Sequence, residues 1–130
     1  MTDNRTGSGP LHAVRQAGGA TLVTLHGEID LLVATPLSAR LESLINGPRP
    51  DLVLDLRTVE FIDCAGLGVL CRIRNHVRDR AGRLRLVSDS ADFRRLLRAT
   101  GLTDAFEVQP RLPGLPGSLT PPGPRSSSAG

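Results

Sequence analysis

The sequence predicts one α/β domain, a mixed and mostly parallel sheet of about four to five strands with helices packed against it. Three observations lead there. Short apolar runs of strand length alternate with longer segments whose apolar residues recur at helical spacing, which calls for parallel strands joined by right-handed helical crossovers. The 130 residues leave room for a single core. Hydrophobic residues make up 39% of the chain but aromatic ones only 2%, so that core must be built from Leu, Val, Ile and Ala.

Element by element, "LHAVRQAGGATLVTLHGEID" (residues 11–30) reads as a hairpin about Gly18-Gly19 leading to Gly27, with Leu22, Val23 and Leu25 giving the second strand its apolar weight. "TPLSARLESLING" (35–47) predicts a helix with Thr35 as N-cap, Pro36 at the first position and Gly47 as the stop. Its buried face is Leu37, Leu41, Leu44 and Ile45. "DLVLDL" (51–56) is a nearly continuous apolar run, as expected of a central strand covered on both faces. From Gly66 to Arg80 the period changes: Gly66, Val69, Leu70, Ile73 and Val77 share one helical face, while Arg72, Arg74, Arg78 and Arg80 lie mostly on the other. Gly82 is the expected stop. "RLRLVS" (83–88) is the next strand, and Ser90 caps a third helix with Phe93, Leu96, Leu97 and Thr100 inward and Gly101 at its end. A short strand around Phe106–Val108 closes the domain, which spans residues 10–109. Residues 1–9 and the Pro/Gly/Ser-rich 110–130 are expected to be disordered.

All sixteen basic residues are Arg. Without Lys there is no P-loop and no Schiff-base chemistry, and a phospho-aspartate receiver lacks its usual Lys. Arg-only usage is read as genome composition rather than a selected role. Residues 1–63 carry five Arg against eight acids, a net of −3, and residues 72–98 carry nine Arg against three acids, a net of +6. With no Trp or Tyr to stack on bases, the Arg are read as solvated helix faces that can guide an acidic protein partner, not as a nucleic-acid surface. His12, His26 and His76 have no ligand spacing, so no metal or other cofactor is expected. No Ser-His-Asp order or carboxylate pair points to an enzyme. Cys64 and Cys71, about 10 Å apart on one helix, are expected to be reduced thiols. No apolar signal core or membrane-length run is present, so the expected location is the cytoplasm.

The informative stretch is "DLVLDLRTVEFIDCAGLGVL" (51–70), a strand-to-helix corner. In open α/β sheets functional groups gather outside the carboxyl ends of the strands. Asp63 can cap the helix there, and Gly66 and Gly68 leave its first turn uncovered. Two readings stay open on the residues alone: a site for a partner backbone or an anion, or an Asp cap with two Gly for close packing. Cys64 could act as a redox sensor if exposed, but a buried small Cys is the expectation. Thr58, Ser88 and Ser90 are hydroxyls elsewhere, Ser90 more simply a cap.

The chain resembles the STAS domain family, shared by anti-sigma factor antagonists and the cytosolic parts of sulfate transporters. The resemblance rests on "VTLHGEIDLLVATPL", similar to the family's Gly-Glu-Leu-Asp turn, on "LVLDLRTVEFIDCAGLGVL", similar to its Asp-Ser-Ser-Gly-Leu-Gly corner, and on "GRLRLVSDSADFRRLLRATGL" and the trailing "FEV". It implies a non-enzymatic switch that docks onto an anti-sigma factor, a Ser/Thr kinase of the histidine-kinase ATPase fold, and so frees a sigma factor to act in transcription. A free monomer is implied, with no cofactor. Gly27, Glu28 and Asp30 match the first turn; Asp63, Cys64, Ala65, Gly66, Leu67 and Gly68 match the corner, and with Asp30 form the implied docking surface. The position the family phosphorylates falls on Ala65, whose methyl group cannot accept a phosphoryl group. The competing expectation is an accessory or scaffold subunit of a sensory or membrane-transport complex.

Overall fold

The computed structural model describes residues 11–114. The expected disordered ends, 1–9 and the greater part of 110–130, lie outside these residues. Strand β1 (Leu11–Ala17) pairs antiparallel with β2 (Ala20–Ile29). Gly18 and Gly19 both take positive φ, 59° and 84°, the geometry of a tight turn whose twist matches the strands. Helix α1 (Leu31–Leu44) leads to β3 (Asp51–Ile62), α2 (Cys64–Asp79) to β4 (Arg83–Val87), and α3 (Ala91–Ala99), through a 3₁₀ turn at Thr103–Ala105, to β5 (Glu107–Gln109). The five strands lie in the order β1-β2-β3-β4-β5, all parallel after the opening hairpin. β3 is central, as expected.

Several boundaries differ from the sequence expectation, each for a local reason. The second strand does not end at Gly27. That residue takes φ 75° at a register shift against β3, a bulge that lets the strand continue to Ile29. Helix α1 begins four residues before Thr35, because Asp30 is the cap: its carboxylate accepts the Leu32 N–H at 3.1 Å. Pro36 therefore sits inside the helix, where its missing N–H removes one backbone bond. β3 runs on past Leu56 to Ile62, with Thr58, Val59, Phe61 and Ile62 paired to β2. Arg57 and Glu60 in this half are exposed, which hides it from a search for apolar runs. At the end of α2 the left-handed residue is Ala81 (φ 57°), not Gly82. Gly82 is instead required by proximity, since a Cβ there would meet the Pro50 carbonyl. Thr100 is an exposed cap whose hydroxyl donates to the Leu96 carbonyl at 2.8 Å, not part of the inner face of α3. The last strand is shifted by one, leaving Phe106 buried just before it.

β3 is covered on both faces, as expected, but by unequal layers. Alternation along β3 sends Leu52, Leu54 and Leu56 to one side, where they pack with Leu41 of α1, Leu70 and Ile73 of α2 and Leu97 of α3. The opposite side carries a smaller cluster, Leu22, Val53 and Val87 with Leu112. Among the described residues no helix joins it. Leu112 thus carries the fold past residue 109.

This second face also holds ionic groups. Arg57 grips Asp55, two residues away on the same side of β3, with Nε and Nη2 each at 2.9 Å from one carboxylate oxygen. Arg85 donates to Asp51 at 2.8 Å and Arg83 to Glu107 at 2.6 Å. Arg83 and Arg85 therefore lie on a strand and not on a solvated helix face, and Arg85 is buried. Burial pushes the Asp55 carboxyl up, but the hydrogen bonds and charge of Arg57 outweigh it and hold the group below the usual aspartate range. A depressed carboxyl contributes stability that is present above its unfolded pKa and lost as pH falls through the folded value. In urea titrations, wild-type stability should therefore fall with an added slope below about pH 4. Asp55→Asn should start less stable at neutral pH and lack that part of the slope.

Candidate functional site

Neighbouring strands β2 and β3 end level with each other, Ile29 against Ile62. Each is followed by an aspartate in extended backbone conformation, Asp30 (φ −122°, ψ −171°) and Asp63 (φ −104°, ψ −170°). Asp30 caps α1, and Asp63 caps α2 by accepting the Gly66 N–H at 3.0 Å, as the sequence predicted. The Asp63 N–H donates to the Ile29 carbonyl at 3.3 Å, so the corners are tied together by backbone. The same Ile-Asp pair opens both helices. Two helix N-termini consequently point out of one end of the sheet.

The two glycines of the corner are not equivalent. A Cβ at Gly66 would collide with the Ile29 carbonyl and fall 2.8 Å from Ile62 Cγ1, whereas a Cβ at Gly68 would meet nothing within 4 Å. Packing accounts fully for Gly66 and not at all for Gly68. Gly66 and Leu67 are buried, Asp30, Asp63 and Ala65 are partly buried, and Cys64 and Gly68 are exposed. Gly66 and Leu67 thus set the backbone, while Cys64 and Gly68 face outward. The expectation of a buried Cys64 is corrected: as the first residue of α2 it precedes the turn that would cover it. Cys71 is partly buried, and both thiols are free. Glu28 is exposed on the neighbouring strand end, and Gly27 lies in the bulge beneath it.

Beside the corner, a groove between α1 and α2 is lined by Ala65, Gly68 and Arg72 on one side and Thr35, Ser38 and Glu42 on the other. Ser38, Arg72 and the neighbouring His76 converge on Glu42: the Ser38 hydroxyl donates to Glu42 Oε2 at 3.1 Å, and His76 Nε2 lies 3.6 Å and Arg72 Nε 4.0 Å from the same oxygen. No hydroxyl stands at position 65 itself.

Three further residues belong to this end of the molecule. Leu31 is 74% exposed, Leu32 86% and Phe61 53%. Starting α1 at residue 35 leaves the two leucines in a loop, and ending β3 at Leu56 does the same for Phe61. The available signal was Asp30, an N-cap residue type directly before two leucines. Glu28, Asp30, Glu60 and Asp63 surround these apolar groups along the paired ends of β2 and β3. The surface is acidic with apolar projections.

The STAS domain family matches residues 12–113. The chain belongs to this family. Over 101 residues the STAS domain is 32% identical to the anti-sigma-B factor antagonist of Bacillus subtilis (strain 168), covering 78% of this chain and 92% of that protein. The crystal structure of an anti-sigma factor antagonist from Mycobacterium paratuberculosis is 30% identical, with a TM-score of 0.69 over 77% of this chain and 85% of that one. The fold is also that of the Bacillus cell fate determinant SpoIIAA in its phosphorylated form, 19% identical with a TM-score of 0.59, covering 74% of this chain and 88% of that one. The five-stranded mixed sheet with its three helices is the STAS fold. Among the described residues no helix is long and apolar enough to cross a membrane.

The contrast between the two glycines is measurable. Gly66→Ala should lose about 1–3 kcal/mol or more by forcing the helix from the Ile29 carbonyl. Gly68→Ala should be neutral or gain about 0.5–1 kcal/mol. Urea unfolding of both variants checks the assignment; equal effects would contradict it.

Proposed function

We propose that this STAS domain is an anti-sigma factor antagonist. It binds an anti-sigma factor, a Ser/Thr kinase of the histidine-kinase ATPase fold, in the cytoplasm, and so releases a sigma factor for transcription. It works by docking and not by catalysis. The observation that carries the reading is the end of the sheet where the capped corners of α1 and α2 meet. There exposed Cys64 and Gly68 and the partly buried Asp30, Asp63 and Ala65 sit beside exposed Leu31 and Leu32. The 32% identity to the Bacillus subtilis antagonist supports the same reading.

Ala65 defines how this antagonist differs from one switched by phosphate. A phosphoryl group brings about −1.5 to −2 charges, and at this position it would enter an already acidic surface. The methyl group cannot receive it. The corner therefore cannot be switched by phosphate at this position, and binding is either constitutive or controlled away from Ala65.

Titration of the protein against the ATPase-fold anti-sigma kinases of its own genome, with nucleotide present, should find one that binds and gives up its sigma factor. Ala65→Glu should abolish that binding with the fold intact; binding to no kinase, or unchanged affinity in the variant, would refute the docking surface.

Ala65→Ser tests the geometry separately. Incubated with the same kinase and ATP, it should gain one phosphate detectable by mass, where the wild type gains none at the corner. A variant that binds yet stays unmodified would show that the corner does not present its hydroxyl to the kinase.

A further inference from the structure

A second cleft, of about 440 Å³, opens between the end of β3 and helix α3. Its floor and walls are apolar: Leu56, Phe61 and Ile62 from β3, Phe93 and Leu96 from α3. Both the size and this composition are those of small-molecule sites, which pair a greasy lining with a few placed polar groups. The placed groups here are Ser88 and Ser90. Ser88 is 1% exposed, and its oxygen accepts the Ser90 N–H at 3.2 Å. The Ser90 oxygen accepts the Phe93 N–H at 3.1 Å. Each oxygen is engaged as an acceptor, while among the described residues neither hydroxyl proton has a partner. Ser88 is buried, so its donor without an acceptor is costly, and an entering oxygen would relieve it.

The rim selects against negative charge. Of its charged groups, Arg95 and Asp92 are paired with each other at 2.8 Å, which among the described residues leaves the Glu60 carboxylate without an ion-pair partner there. An anionic ligand would face it, whereas an uncharged oxygen would not. We propose that this cleft binds an uncharged medium-chain compound, an apolar alkyl or acyl body lying along Leu56, Phe93 and Leu96 with its carbonyl or hydroxyl oxygen accepting from Ser88 and Ser90. The site is distinct from the groove that holds Ala65 and can be tested on the free protein, without a kinase partner.

The probes are hexanamide, heptanamide and octanamide, titrated into the full chain and followed by backbone amide NMR shifts. Binding should tighten by about fourfold per added methylene, with the largest shifts at Phe61, Phe93 and Leu96. Octanoate, equal in length but charged, should bind about tenfold more weakly. Ala99→Trp, a substitution at an exposed lining residue, should obstruct the mouth and weaken octanamide by about tenfold. Should that variant not fold, Phe61→Ser, which removes an exposed wall, should weaken octanamide by about fourfold or more. No saturation by millimolar octanamide, affinity independent of chain length, octanoate binding as tightly as the amide, or shifts centred on α1 would each overturn the proposal.

Discussion

The contact on which the proposed docking end depends is the one made possible by the missing side chain at Gly66. Because the α2 backbone lies against the Ile29 carbonyl, the helix is seated on the end of β2 as well as on its own strand β3. That seating brings the Asp63 N–H within reach of Ile29 and sets the two aspartate caps side by side. Both helix starts are then held by backbone bonds and caps, and none of the outward side chains is needed to hold them. Leu31, Leu32, Cys64 and Gly68 are consequently exposed on a rigid support, as the proposed docking requires.

The two faces of the sheet are stabilised by different means. Beneath the helices the core is aliphatic, with Leu52, Leu54, Leu70 and Ile73 fully buried. Across the sheet, Val53 and Val87 share their face with Asp55 and Arg85, both buried. Asp55 is tolerated there because a guanidinium can occupy both of its oxygens at once, which a lysine ammonium cannot do with the same geometry. In a chain with no Lys, this face uses a property that Arg has and Lys lacks.

How much was legible in the sequence followed from how locally each feature is encoded. The order of elements and the inward faces of the helices were readable, because periodicity and caps such as Asp63 and Ser90 act within a few residues. The long second half of β3 was not. Arg57 and Glu60 break its apolar pattern, and its pairing depends on β2, some thirty residues earlier in the chain. At α1 two signals competed: Thr35-Pro36 is a good helix start by composition, but Asp30 starts the helix earlier, and Pro36 is accommodated within it. The corner was found by its residues, whereas its division into a buried Gly66 and an open Gly68 needed the Ile29 carbonyl in place. The cleft beside α3 had no sequence signature, since Phe93 and Leu96 read as core while Phe61 and Ile62 fall in the half of β3 that the apolar pattern does not reveal.

The strands lie in space in the same order as they occur along the chain. Each therefore adds to the growing edge of a sheet already begun by the hairpin, and no later strand has to be inserted between two earlier ones. Closure of β1 on β2 needs only a two-glycine turn, and each following addition closes one helix-length loop, which keeps the entropic cost of every step modest. During synthesis the nascent chain can thus be sheltered strand by strand, with β4 the exposed edge until the short β5 completes the domain.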